Sequence, residues 1–152
     1  MNGGDTQGEQ GSANVPLGVF LTFLVCCGLQ VGQYAFGWSL GEFVLSPGEV
    51  WFNHCFSRLI SGAFFHVGLM HFGFNMLSLM TLGPNVEKLM GSFRFVLYMC
   101  VCVFLSNIIY VLVCALLANV NNPSWWNYNS VGYSGCLFAF AAIESFLSPL
   151  PT

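Results

Sequence analysis

The stretch FFHVGLMHFGFNMLSLMTLGPNVEKLMGSFRF, residues 64–95, decides how this chain is read. From His66 to Leu82 it is an apolar run of helical length, yet it holds His66, His71 and Asn75. Hydrocarbon does not readily accept such groups without partners. His71 and Asn75 are four apart, so a helix puts them on one face. Both side chains can donate hydrogen bonds. They are read either as members of a functional site or as interhelical glue. His66, at the start of the run, could equally sit at an interface with its polar edge in water. Gly83-Pro84 is expected to end or kink the run, followed by a short loop holding Glu87, Lys88 and Arg94.

The rest of the chain identifies its solvent. Its 152 residues are 56% hydrophobic, 16% aromatic and only 6% charged. Soluble domains carry roughly 25% charged residues. So few charges could not cover a water-soluble globule without large apolar patches, which argues against a soluble enzyme. Three Lys/Arg cannot supply the phosphate contacts of a nucleic-acid binder. The expectation is an all-α, polytopic membrane protein whose surroundings are a lipid bilayer. Six of the seven cysteines lie in apolar runs, and no spacing reads as a zinc site or a disulfide framework. They are read as small packing residues, and no metal or organic cofactor is implied.

Four spans follow from the apolar pattern. Residues 1–14, polar and Gly-rich, read as a disordered tail ahead of a transmembrane domain at 15–152. The first span is Val15 to Phe36, uncharged and about 33 Å long as a helix. Residues 37–65 are aromatic and amphipathic, and read as an interfacial loop with short helices. The second span is His66 to Leu82, the third Phe95 to Ala118, and the fourth Ser134 to Leu147 before Pro149. Residues 119–133 form a polar loop. With four spans, Lys88 and Arg94 fall on the side of the N-terminal tail and only Arg58 on the other, which puts the tail in the cytoplasm.

The last span is short. Ser134 to Pro149 gives about 22 Å of helix against a core of about 30 Å. Ser134 therefore begins its helix below the interface, and the polar segment before it must dip in to meet it. Irregular backbone at that depth is tolerated only inside protein or beside water. The sequence thus suggests a wet cavity with a serine at its floor. A helix start also offers unpaired N–H groups and a positive dipole end, favourable to an oxyanion. Gly132 and Gly135 flank the serine and allow close backbone approach. Taken alone, Gly-Tyr-Ser-Gly is a weak motif that reads first as a plain helix cap followed by a glycine-lined helix contact.

The constellation is more specific than its parts. Two histidines five apart with an Asn four further on, a G-x-x-x-E-x-x-x-G pattern on Gly83, Glu87 and Gly91, a long span, a polar loop and VGYSGCLFAF come in fixed order. Over about residues 15–148 this resembles the rhomboid family of intramembrane serine proteases. The resemblance implies a six-helix core, of which this chain carries four spans. It implies Ser134 as nucleophile, and His71, Asn75 and the Ser134 backbone N–H as the oxyanion hole. His66 would lie near the same pocket, and Glu87 would tie neighbouring helices. Arg58 matches the arginine of a Trp-Arg pair whose tryptophan is Ser57 here.

In that family the general base is a histidine on the sixth span. His54, His66 and His71 all precede the serine, and none matches that position. A serine needs a base to take its proton, so residues 1–152 alone are expected not to turn over. Transmembrane-helix proteins would be the substrates of the parent enzyme. A different class of reading is a non-catalytic relative that binds membrane-helix clients through its polar pocket.

Overall fold

The computed structural model describes residues 16–147. The expected tail at 1–14 and Pro149 lie outside the described residues. Six α-helices form the described chain: α1 (Leu17–Ala35), α2 (Pro47–Phe52), α3 (Arg58–Ser61), α4 (Gly68–Met90), α5 (Ser92–Val120) and α6 (Ser134–Leu147). Short 3-10 turns at Leu40–Glu42 and Pro123–Asn127 complete it. The only strand-like pairing among the described residues is an isolated bridge between Leu45 and Ser130.

α4, α5 and α6 pack on one another, and α1 packs on α4 and α5. Their shared core holds Val19 and Cys26 from α1, Leu79 and Val86 from α4, and Phe95 and Val103 from α5. Cys136 and Phe140 come from α6. A second cluster, Leu45, Val50, Leu59 and Val111, seats α2 and α3 against α5. The interfacial stretch 37–65 is thus a structured element. Arg58 holds it by donating to the carbonyls of Gly41 (2.7 Å) and Val44 (2.9 Å). All seven cysteines are free, and Cys26, Cys114 and Cys136 are buried packing residues.

The outside of the bundle is apolar and its inside is partly polar. Phe93 (83% exposed), Leu116 and Val120 face outward on α5, and Leu17, Leu21 and Val31 do so on α1. Thr22, Gln30, His66, Asn75 and Glu87 are buried. In water this distribution would be an aggregation hazard; lipid tails make it favourable. α1 and α5 are each long and apolar enough to cross a membrane. α6, with 14 residues, is about 21 Å long.

Both ends of α4 and the start of α5 differ from the sequence reading. α4 does not start at His66 or stop at Gly83-Pro84; it begins at Gly68 and runs unbroken through Pro84 to Met90. Pro84 removes one helical N–H, but packing on α1 overrides it. A Cβ on Gly83 would lie 2.7 Å from Val19 Cγ2, so only glycine permits this approach. One turn later Glu87 is not a solvated loop charge. It is 4% exposed, and its carboxylate accepts from the Gly18 N–H (2.9 Å), the Val19 N–H (2.8 Å) and the Ser92 hydroxyl (2.5 Å). The first amides of α1, which no helix can satisfy internally, are satisfied by α4. The expected 84–94 loop reduces to Gly91 (φ +81°), with Lys88 in the last turn of α4 and Arg94 in the first of α5.

Replacing Glu87 with Ala strips these donors of their acceptor. Charge-assisted hydrogen bonds contribute about 1.5–3 kcal/mol each, and buried orphan donors add a penalty. Glu87→Ala is expected to lower the detergent-solubilised unfolding midpoint by several degrees, against a change within error for Glu42→Ala, which is exposed.

Candidate functional site

The segment ahead of α6 is irregular backbone, and three of its N–H groups and one of its carbonyls pair with the stretch between α1 and α4. Ser130 and Leu45 exchange both backbone bonds (2.8 and 3.0 Å), and the Gly132 N–H donates to the Gly62 carbonyl (2.9 Å). The Tyr133 N–H points to Nε2 of His66 at 3.5 Å, a long contact. Tyr133 is fully buried, its ring against Phe64 and Phe140. These ties fix where α6 begins. The Cys136 and Leu137 N–H groups both return to the Tyr133 carbonyl. The Ser134 and Gly135 N–H groups at the helix start have no intrahelical partner.

The residues singled out from sequence fall into two adjoining groups. Asn75 and Ser134 line one cavity of about 250 Å³ between α4 and α6, with Phe74, Ser78, Leu137 and Phe138. Ser134 is exposed, whereas Asn75 is buried. Asn75 Nδ2 donates to the His71 carbonyl at 2.8 Å, while Oδ1 has no partner among the described residues. The amide carries two N–H donors, so one remains for a ligand oxygen. His71 packs over the backbone two residues before the serine. A Cβ on Gly132 would lie 2.6 Å from its Cε1 and 2.7 Å from its Nε2. His66 stands behind His71, ring centroids 5.3 Å apart.

His66 is fully buried in the connection ahead of α4, not at an interface with its edge in water. Burial first, then the neighbouring His71, push its pKa down to about 4. The ring is therefore neutral at ordinary pH, and Nε2 can accept the Tyr133 N–H. Gly135 backs onto α5, where a Cβ would meet Ser106 Oγ at 3.1 Å. Glu144, further along α6, is tied to Asn85 of α4 and belongs to the opposite end of the helix pair. A separate cavity of about 680 Å³ lies between α1 and the interfacial stretch and includes none of Ser134, His71 and Asn75.

Among the described residues no group of His, Cys, Asp or Glu could hold a metal ion. Sequence reasoning missed Gln33 of α1, whose Nε2 donates to the His66 carbonyl at 3.3 Å. The available signal was a pair of amides, Gln30 and Gln33, in a mainly apolar span. It also missed Leu45 and Gly62, which act through backbone atoms and leave no side-chain signature.

The family described as Rhomboid domain matches residues 53–151. The chain belongs to the rhomboid family. It is 35% identical over 97 residues to Rhomboid-like protein 15 of Arabidopsis thaliana, covering 60% of this chain and 23% of that protein. It is 27% identical over 119 residues to Rhomboid-related protein 4 of Homo sapiens, covering 70% and 38%. It is 35% identical over 86 residues to Rhomboid-type serine protease 2 of Emericella nidulans, covering 57% and 15%. This rhomboid chain thus spans well under half the length of these curated relatives.

The two glycines beside the serine make a direct comparison. Gly132 has φ +110°, where an L side chain is strained, and its Cβ would also collide with His71. Gly132→Ala is expected to cost roughly 2 kcal/mol or more. Gly135→Ala meets only a hydroxyl that can rotate, and is expected to cost under about 1 kcal/mol. Denaturation midpoints of the two variants decide it; equal losses would contradict the placement of His71 over Gly132.

Proposed function

We propose that this chain supplies the nucleophile side of an intramembrane serine endopeptidase that cleaves transmembrane-helix proteins. The observation that carries this reading is the cavity shared by Ser134 and Asn75, with His71 packed against the turn that leads into the serine. α1, α4, α5 and α6 are the four membrane spans, with the residues before α1 on the cytoplasmic side. Water reaches Ser134 through the cavity between α4 and α6.

Ser134 Oγ attacks the scissile carbonyl and forms a tetrahedral intermediate. Its oxyanion is stabilised by N–H donors from Asn75, His71 and the start of α6. The neutral His66 supports this site from behind and does not touch substrate. Gly132 and Gly135 let the serine turn approach His71 and Ser106 closely. Collapse of the intermediate breaks the C–N bond, expels the amine fragment protonated by the group that took the serine proton, and leaves an acyl-enzyme ester, which water hydrolyses to the carboxylic acid and free Ser134. Both steps need a general base. Neither His66, buried behind Tyr133, nor His71, on the oxyanion side, fills that role, and His54 lies between α2 and α3. The family resemblance puts the base on a later span, outside residues 1–152.

Two outcomes test this. Residues 1–152 in nanodiscs are expected to leave a transmembrane reporter intact. A form extended by the later spans of a rhomboid relative is expected to cleave it. Cleavage should be abolished by Ser134→Ala and lowered about 10²–10³-fold in kcat by His71→Ala or Asn75→Ala. Client binding without cleavage, unaffected by Ser134→Ala, would replace the protease reading with that of a helix-binding relative.

A further inference from the structure

α1 is apolar along most of its length, and a glutamine in such a helix is unfavourable unless its amide is used. Gln33 uses it. Nε2 donates across to the main-chain carbonyl of His66 at 3.3 Å. His66 is fully buried, braced edge-on by Phe72 at 5.5 Å and by His71 at 5.3 Å. Its Nε2 faces the Tyr133 N–H at 3.5 Å, one residue before Ser134. A polar path therefore runs from α1 through the connection ahead of α4 to the turn that opens α6. The other ties on that turn, Ser130 to Leu45 and Gly132 to Gly62, are main-chain pairings. Among the described residues, the His66 link is the one made by a side chain.

We infer that Gln33 is a positioning residue for the serine turn, acting through His66. The inference rests on the reading of Ser134 as nucleophile. Gln33 touches neither the serine nor the cavity that Ser134 shares with Asn75. It fixes the carbonyl of His66 and so the tilt of the imidazole beneath Tyr133. With that carbonyl released, His66 loses its registration, and the Tyr133 and Ser134 amides lose their fixed orientation.

The variant that separates hydrogen bonding from packing is Gln33→Met. It keeps length and approximate volume, suits an apolar helix and removes the donor. The full chain in nanodiscs is compared with Gln33→Met by amide hydrogen exchange. Exchange at Tyr133, whose N–H faces His66, is expected to accelerate fivefold or more, with Val103–Val111 of α5 unchanged. A ¹⁵N shift of the His66 ring should accompany it. Acceleration below fivefold, or acceleration spread evenly over α5 and α6, would overturn the inference. In the second case Gln33 would serve general stability only. Fluorophosphonate labelling of Ser134 in the form extended by the later spans of a rhomboid relative reads the nucleophile separately. An unlabelled extended form counts against the protease reading, while the exchange rates still decide the role of Gln33.

Discussion

The structure depends on satisfying the irregular backbone that leads into α6, at Ser130, Gly132 and Tyr133. A helix of about 21 Å cannot reach both faces of a hydrocarbon core of about 30 Å. With α6 taken as the fourth span, as proposed above, the chain enters the membrane as non-helical main chain before α6 begins, and each N–H and C=O there needs a partner. Leu45, Gly62 and His66 provide partners for Ser130, Gly132 and Tyr133. These donors and acceptors come from the stretch 37–67. The interfacial elements are thus the inner wall of the serine turn. Arg58, bound to two carbonyls of the same stretch, and the core of Leu45, Val50 and Leu59 on Val111 keep that wall rigid.

A second polar tie works at the other end of the bundle. Glu87 of α4 binds the first amides of α1 and the hydroxyl that opens α5. Between the two ties the packing relies on close backbone approach. Gly83 meets Val19, Gly135 meets Ser106 and Gly132 meets His71. In a lipid solvent apolar burial between helices contributes little, so small residues and hydrogen bonds carry association. The placement of His71 and Asn75 follows from these contacts, since both lie on the length of α4 fixed by Gly83 and Glu87 at one end and by His66 at the other.

Much of this was legible from sequence because the signals are local. Helix length and charge exclusion located α1, α5 and α6, and the ends of α6 match the apolar stretch. The i, i+4 relation of His71 and Asn75 put them on one face before any contact was known. What was not legible is tertiary. Gly83-Pro84 has the local chemistry of a helix end, but packing on Val19 carries α4 onward. Local chemistry gives Glu87 beside Lys88 as loop charge; the family resemblance gives its role as a helix tie, but not that its partners are the bare amides of α1. Gln33 gives no sign of its partner, because that partner is a main-chain carbonyl 33 residues away. The bridge between Leu45 and Ser130 likewise depends on backbone geometry that no side chain encodes.

The central claim is that Ser134 opens its helix in a recess that is inside the bilayer yet reached by water. A cysteine-free form carrying Ser134→Cys, reconstituted in lipid, is treated with a membrane-impermeant thiosulfonate, with Leu105→Cys on the outward face of α5 as reference. The account predicts rapid modification at 134 and little at 105. Modification at 134 as slow as at 105 would contradict it.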